Sequence, residues 1–235
     1  MATGLVDDGL ARYLQSGNAN LQQAEMMEEP LIYVDEHDNP IGSTSKLTAH
    51  RFPGLLHRAF SVLLFNRQGR LLIQKRSSSK VTFPGYWANT CCSHPRSTAA
   101  ERVETQHMGV KRAAVRKMEQ ELGIPEQALN PESMVTMTRL HYRAIHDSHW
   151  VEEEMDYILL LVADVEPVAN PDEVETVRWV DQGELQAMLS GHPDKIKIAP
   201  WFRIITEEFL PGWWPYLGDR KKLHALADMT IQRRF

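Results

Sequence analysis

The sequence predicts a single α/β (α+β) domain, and three observations support this fold class. Short apolar runs bounded by turn residues indicate several β-strands. One longer segment, with apolar residues at four-residue steps, indicates an amphipathic helix. No internal repeat, low-complexity tract or linker divides the 235 residues, and 43% hydrophobic residues suffice for one core. We therefore expect residues 1–30 to form an N-terminal arm or helix laid on a domain of residues 31–235, which ends in C-terminal helices.

The composition excludes several classes of function. The sequence has 26 Lys and Arg residues against 31 Asp and Glu residues, a net charge of −5, so no overall basic field attracts nucleic acid or an anionic membrane. No apolar run reaches the roughly 18 residues of a membrane span, and the acidic N-terminus lacks a secretory signal core. The two cysteines are adjacent and form no disulfide framework, which indicates a reducing compartment. We expect the cytoplasm, with a plastid as the alternative if a transit peptide has been removed.

The strands are predicted from apolar runs in chain order. A first strand at residues 31–34 is closed by the turn cluster of residues 35–40. Between it and the next strand, residues 46–57 are predicted to be irregular. Two apolar runs joined by a short loop containing Gly69 predict a β-hairpin. The runs of the hairpin and of the later strands are residues 58–65, 71–76, 134–144, 155–165 and 176–180.

The helices are predicted from apolar periodicity and from capping residues. Residues 109–122 form the strongest helical pattern, which Gly123 ends. Lys117 and Glu121 lie one turn apart on one face of this helix. They could both bind a metal–phosphate group, or they could form an exposed ion pair. Asp181 and Glu184 resemble a capping box at the start of the next helix. A further helix is predicted from residue 200, and the tail from residue 213 is expected to pack outside.

Both cysteines lie in one short segment, residues 83–95, which contains a Pro-Gly pair and an aromatic pair. Cys91 and Cys92 are followed directly by Ser93 and His94, so thiol, hydroxyl and imidazole groups are close in sequence. This pattern is typical of an active-site loop. The alternative is that both cysteines are small buried hydrophobes beneath a loop, with the histidine bonded to a backbone carbonyl.

Other segments contribute imidazoles and carboxylates. In an extended strand Glu152 and Glu154 point to the same side, whereas Glu153 points away. Three imidazoles and two carboxylates would suit an octahedral Mn²⁺, Mg²⁺ or Zn²⁺ centre. The proposed ligands are His50, His57, His94, Glu152 and Glu154, and the cations expected beside them are Lys46, Arg76, Lys80 and Lys117. The alternative is a set of surface histidines and a solvated acidic bend.

Six segments between residues 31 and 209 form a specific set of motifs. They are LLHRAFSVLLF, TFPGYWANTCCSHP, QELGIP, HYRA, EEEMDYILL and APWF, in this order. Together they resemble type 1 isopentenyl-diphosphate delta-isomerases of the Nudix superfamily. The resemblance implies a Nudix-like mixed β-sheet flanked by helices. It also implies interconversion of isopentenyl and dimethylallyl diphosphate, the precursors of isoprenoids, by protonation and deprotonation of the alkene through a carbocation.

The resemblance also implies roles for individual residues. Cys92 and Glu154 would be the catalytic pair, and Tyr142 would bond to a catalytic group. Glu121 would hold a second metal ion, Mg²⁺, at the diphosphate, whereas Mg²⁺, Mn²⁺ or Zn²⁺ would occupy the three-His, two-Glu site. The substrate-binding residues would be Lys46, Arg76, Lys80, Ser93, Lys117 and Trp201. The implied partner is a small-molecule diphosphate, and we expect a monomer, with an oligomer left open.

Two other classes of protein share part of this pattern. A Nudix diphosphate hydrolase fits less well, because Lys117 and Gln120 replace glutamates of that family's helix, and Arg102 and Met108 fill its upstream glycine and glutamate positions. A zinc module would need a closed tetrahedral ligand set, and the adjacent cysteines lack the two-residue spacing of such sites.

Overall fold

One mixed sheet of ten strands forms the framework of residues 21–192 and 194–235, which the computed structural model describes. The strands are β1 Pro30–Val34, β2 Pro40–Ser45, β3 His57–Phe65, β4 Leu71–Arg76, β5 Trp87–Ala88, β6 Cys91–Ser93, β7 Val135–Ile145, β8 Val151–Val162, β9 Val174–Val180 and β10 Asp228–Arg234. The order along the sheet is β10-β7-β8-β3-β1-β2, while β6 also pairs with β3, and β4 pairs with β3, β5 and β9. The predicted mixed sheet is confirmed.

The centre of the sheet is the parallel pair of β3 and β8. It runs from His57 opposite Glu154 to Phe65 opposite Val162. Every residue of β3 is buried, as expected for a strand covered on both faces. The pairing brings an imidazole and a carboxylate from distant parts of the sequence to the same end of the two strands.

Helices cover both faces of the sheet. They are α1 Leu21–Met26, α2 Lys46–His50, α3 Met108–Leu122, α4 Gln182–Leu189, α5 Pro200–Ile204, α6 Leu210–Trp213 and α7 Arg220–Leu226. A π-helical turn, Ile205–Phe209, joins α5 to α6. The predicted helix of residues 109–122 is confirmed as α3, and Gly123 ends it in the left-handed conformation (φ 60°) that glycine adopts without strain. The capping box of Asp181 and Glu184 at α4 is also confirmed.

Each face of the sheet carries its own core. On the side that we call the α5 face, Leu63 and Ile158 pack with Trp201 and the other C-terminal helical residues. On the opposite side, the α3 face, Phe60 and Leu159 pack with apolar side chains of α3. Because neighbouring residues of a strand point to opposite faces, each strand residue contributes to one core only.

One prediction about local structure was wrong, and two others were incomplete. Residues 46–50, predicted to be irregular, form α2, because the Ser45 hydroxyl caps this short helix by accepting from the Thr48 N–H at 3.2 Å. The predicted hairpin is paired only at Phe65 and Leu71, since β3 then pairs with β6 and β8. The tail is not only helical, because β10 adds a strand parallel to β7. Its sequence, DMTIQRR, is mostly polar and suits a half-exposed edge.

The predicted N-terminal arm lies largely outside the described residues, which begin at residue 21. Of its remainder, α1 and the following turn are described, and Met26 and Met27 are buried against the domain. No helix among the described residues is long and apolar enough to cross a membrane.

Candidate active site

The two cysteines lie on β6 and point to opposite faces of the sheet. Cys91 is fully buried in the core of the α3 face, and its Sγ lies 3.6 Å from Oε2 of Glu121. Cys92, opposite Ser61 in the β3–β6 ladder, is half-buried and lines a cavity on the α5 face. Although the residues are adjacent, only one thiol faces the cavity.

Three imidazoles meet at one end of this cavity. The ring centroids of His50, His57 and His94 lie 4.7–4.9 Å from one another. Nδ1 of His50 lies 2.9 Å from the Lys46 carbonyl oxygen, and Nδ1 of His57 lies 2.7 Å from that of Leu55. These bonds to backbone carbonyls fix the two rings and leave Nε2 of each turned toward the cluster.

Glu154 lies at the centre of the imidazoles. Its Oε1 is 2.8 Å from Nε2 of His94 and 3.7 Å from Nε2 of His57, and its Oε2 accepts the Tyr142 hydroxyl at 2.6 Å. Glu152, on the same side of β8, has an oxygen 3.6 Å from Nε2 of His50. Glu153 is turned the other way, toward His141 at 2.9 Å. The predicted alternation of these carboxylates is confirmed.

Charges within this cluster shift one another's ionisation. Burial acts to raise the pKa of Glu154, but the nearby imidazoles of His50 and His57 hold it well below its usual range. Burial acts to lower the pKa of His50, but Glu152 and Glu154 raise it to about 9. Burial, together with the charges of His57 and His50, holds the pKa of His94 well below its usual value. The site therefore favours an ionised carboxylate among imidazoles of unequal basicity.

The groups beside Glu154 keep their protons. Burial, followed by the charge of Glu154, raises the pKa of the Cys92 thiol well above its ordinary value. The same two causes raise the pKa of the Tyr142 phenol. The cavity thus presents a protonated thiol, a protonated phenol and a carboxylate that accepts the phenol's hydrogen bond.

The donor set fits a divalent metal ion. One nitrogen from each of His50, His57 and His94 and one oxygen from Glu154 all lie within 4.8 Å of one another, and all four residues are buried. Nε2 of His57 is buried without a hydrogen-bond partner among the described residues. A buried imidazole nitrogen without a partner is costly unless a ligand completes it. Neither cysteine belongs to this group, which disfavours the tetrahedral zinc module.

The rest of the cavity is lined by cations and an indole. Lys46, Arg76 and Lys80 line it together with Ser93 and Trp201. Burial, followed by the charges of Lys80 and Lys117, lowers the pKa of Lys46 to about 8. The open space measures only about 30 Å³, so a larger ligand would enter only if the lining side chains moved apart.

Two of the predicted substrate and metal residues lie behind the cavity lining. Lys117 and Glu121, both on α3, form a buried ion pair at 3.2 Å. This ion pair is not exposed, and neither residue lines the cavity. The fully buried Glu173, which we did not identify from the sequence, forms an ion pair with Lys80 and lies 3.8 Å from Lys117. It stands in the connection between β8 and β9, where no sequence signal distinguishes it. The predicted roles of Lys117 and Glu121 stay predictions.

Two further residues of the site were missed, although they lie within the recognised motifs. Asn89 accepts the Trp201 indole N–H at 3.0 Å and donates to the Cys91 carbonyl at 2.8 Å, so it fixes the indole relative to the cysteine loop. Asp156 is fully buried and accepts the Ser61 hydroxyl at 2.8 Å, and burial raises its pKa well above the usual range. The alternation that groups Glu152 with Glu154 also selects Asp156, and this signal could have found it.

Comparisons with known proteins agree with this geometry. Residues 55–202 match the model of the NUDIX domain. Isopentenyl-diphosphate Delta-isomerase 1 of Bos taurus is 44% identical over 217 residues, which cover 87% of this chain and 95% of that protein. Isopentenyl-diphosphate delta-isomerase of Phaffia rhodozyma is 45% identical over 226 residues, 89% of each chain.

Solved structures support the fold alone. The crystal structure of DR0079 from Deinococcus radiodurans superposes with a TM-score of 0.55 at 20% identity, and covers 76% of this chain and 97% of that one. A resemblance of this kind confirms the predicted Nudix fold without indicating an activity. The sequence identity to the isomerases is much higher and extends over nearly their whole length. The chain therefore belongs to the isopentenyl-diphosphate delta-isomerase family, within the Nudix superfamily.

Proposed function

We propose that this protein interconverts isopentenyl and dimethylallyl diphosphate, with Cys92 and Glu154 as its proton-transfer pair. The observation that carries the proposal is that these two side chains, from different strands, line one buried cavity together with an indole and three cations. An isomerisation that moves a double bond needs one group to give a proton and another to remove one.

The chemistry accounts for the residue types in the cavity. A proton added to the terminal alkene carbon leaves a tertiary carbocation, and loss of a proton from the adjacent methylene carbon forms the new double bond. No atom is gained or lost overall. Cys92 and Glu154 perform these two transfers and exchange roles in the reverse direction, while the Tyr142 hydroxyl holds Glu154 in place.

Exclusion of water protects the carbocation. Trp201 is 1% exposed, and its indole lines the cavity beside Cys92. A cation next to a desolvated indole face is stabilised by ~2 kcal/mol or more. Lys46, Arg76, Lys80 and Ser93 line the same cavity and would hold the diphosphate there, and the guanidinium of Arg76 lies 5.4 Å from the Trp201 ring centre.

The proposed metal site comprises His50, His57, His94, Glu152 and Glu154. When bound, Mg²⁺, Mn²⁺ or Zn²⁺ would supply positive charge that keeps Glu154 ionised and in position. Lys117 and Glu121 would meet a second ion, Mg²⁺, only if the substrate draws them out of their buried ion pair. This second ion belongs to the proposal through family resemblance rather than through the observed geometry.

Incubation of isopentenyl diphosphate with the metal-loaded protein in D₂O tests the function. Dimethylallyl diphosphate that carries deuterium in a methyl group is the expected product, detected by NMR. The same samples are assayed for phosphate and pyrophosphate, and with nucleoside diphosphate derivatives as alternative substrates. Metal-dependent hydrolysis faster than isomerisation would contradict the proposal.

A further inference from the structure

A basic groove lies on the α3 side of the molecule, away from the cavity that contains Cys92. It has a volume of about 750 Å³, large enough for a small organic ligand. We call it the C-terminal groove, since much of its lining comes from α7 and β10. The lining residues are Gln106, His107, Lys111, Glu132, Thr136, Arg220, Lys221, His224, Ala227 and Met229.

The charge of the groove is opposite to that of the whole chain. Three of its side chains are cations and two more are imidazoles, whereas Glu132 is its single carboxylate. The chain as a whole has a net charge of −5. Concentration of cations on one concave surface of an acidic protein raises the local concentration of anions there.

Lys111 is the central residue of the groove. Its side chain is only 7% exposed, yet it forms no hydrogen bond or ion pair with any residue that the structure describes. Burial and the charge of Arg220 lower its pKa, and Glu132 offsets only part of this. The stem of Lys111 is thus buried, while its ammonium group reaches the groove, where no described carboxylate forms an ion pair with it.

Two features beside Lys111 also favour an anion. The hydroxyl of Thr136 is buried at the groove and has no hydrogen-bond partner among the described residues. The fifteen-residue helix α3 begins beside the groove with His107 as its N-cap, so the positive end of its dipole lies there, although Met108 and Gly109 already donate their N–H groups to the carbonyls of Thr105 and Val103.

We propose that the C-terminal groove is a binding site for a small phosphate- or diphosphate-bearing molecule, whose anionic group Lys111, Arg220 and Lys221 hold. A compact anion with several acceptor oxygens matches this convergent set of donors. Ala227 and Met229 offer an apolar wall to the remainder of the ligand. The groove shares no lining residue with the cavity that contains Cys92, so the proposal does not depend on the isomerase activity.

Calorimetric titration with inorganic pyrophosphate tests the proposal on the full chain. The wild type should show two binding events, of which isopentenyl diphosphate displaces only one. Lys111→Met removes the charge and keeps an unbranched stem, and should weaken the other event by about tenfold or more. Lys221→Met, at an exposed position, should weaken the same event without endangering folding. Turnover of isopentenyl diphosphate should stay within about twofold of wild type in both variants.

Lys222→Met is the matched control. Lys222 carries the same charge on the same helix, but it does not line the groove and lies 5.4 Å from the Tyr216 ring centre. This variant should keep both binding events. Pyrophosphate binding that isopentenyl diphosphate displaces completely, or binding that Lys111→Met and Lys221→Met leave unchanged, would overturn the proposal. Binding of an oligonucleotide in the groove without binding of pyrophosphate would also overturn it, in favour of a macromolecular partner.

Discussion

Each face of the sheet receives one cysteine side chain from β6, and the two side chains lie in different surroundings. Burial raises the pKa of both thiols, with a further contribution from Glu121 at Cys91 and from Glu154 at Cys92. Ionisation therefore does not distinguish the two cysteines. Their surroundings do, because Cys91 is packed among apolar side chains on the α3 face, whereas Cys92 meets a cavity with an indole and a carboxylate.

The polar and charged groups near the two faces also differ, because those on one side have partners within the protein. At α3, Lys117 pairs with Glu121, and Glu173 lies between Lys117 and Lys80, so that each charge is neutralised within the protein. On the α5 face, Nε2 of His57 has no hydrogen-bond partner among the residues described. Opposite charges that pair within the protein contribute to folding, whereas three imidazole nitrogens gathered around one carboxylate suit a ligand. This difference determines how large an effect each substitution should have.

The largest effect is expected for Cys92→Ala. If this thiol transfers a proton, its loss should reduce isomerase turnover by ~10²–10⁴-fold or more. Metal content and melting temperature should change little, because the side chain is only half-buried and lies outside the proposed ligand set. Steady-state kinetics, metal analysis and thermal denaturation on the same preparation test this. Substantial activity in Cys92→Ala would remove the functional distinction between the faces.

The second largest effect is expected on stability, for Glu173→Gln. Without this carboxylate the buried ammonium group of Lys80 loses its counter-charge and Lys117 keeps only Glu121, which costs ~3–5 kcal/mol. Glu175→Gln is the matched control, because Glu175 pairs with Lys75 at 2.7 Å near the surface, where a pair contributes at most ~1 kcal/mol. Urea denaturation at neutral pH measures both differences. Equal losses in the two variants would show that the buried network is not structural.

The effect of Glu173 should also depend on pH. Burial acts to raise the pKa of Glu173, but Lys80 and Lys117 together hold it well below the usual 4.5. A carboxylate with a lowered pKa in the folded state adds stability above its unfolded pKa, and this stability is lost as the pH falls. The difference in stability between wild type and Glu173→Gln should therefore be full at pH 7 and should narrow below about pH 4.5.

These groups also show what sequence alone could predict. Alternation along β8 predicted that Glu152 and Glu154 share a side, and periodicity predicted α3 with its glycine end, because both depend on neighbouring residues. The meeting of His57 with Glu154 depends on the parallel pairing of β3 with β8, which spacing alone does not reveal. Glu173 was missed for the same reason, since its partner Lys80 lies 93 residues away. The divergence of β4 from β3 likewise depends on long-range pairing.

An intermediate effect is expected for Glu152→Gln, which tests the metal site on the α5 face. Loss of a residue that only hydrogen-bonds to a metal ligand lowers metal affinity by ~10–100-fold. Loss of the ligand carboxylate itself should lower metal affinity at least as much, and turnover should fall with it. Glu153→Gln is the matched control, because Glu153 points the other way and contacts His141 and Arg143. Metal affinity measured by competition with a chelator compares the two. Full metal binding and turnover in Glu152→Gln would exclude this carboxylate from the site.

The smallest effect is expected for Cys91→Ala. Cys91 is fully buried on the α3 face, and its thiol donates only a long hydrogen bond, of 3.6 Å, to Glu121. Removal of the sulfur should leave a small cavity that costs ~1 kcal/mol, a decrease of about 2–4 °C in melting temperature for a chain of this size. Turnover should stay near that of the wild type, because the thiol does not line the cavity where Cys92 and Glu154 meet. The comparison with Cys92→Ala is strict, since both variants lose the same atom from adjacent positions of β6. A well-folded Cys91→Ala without activity, beside an active Cys92→Ala, would reverse the roles of the two faces.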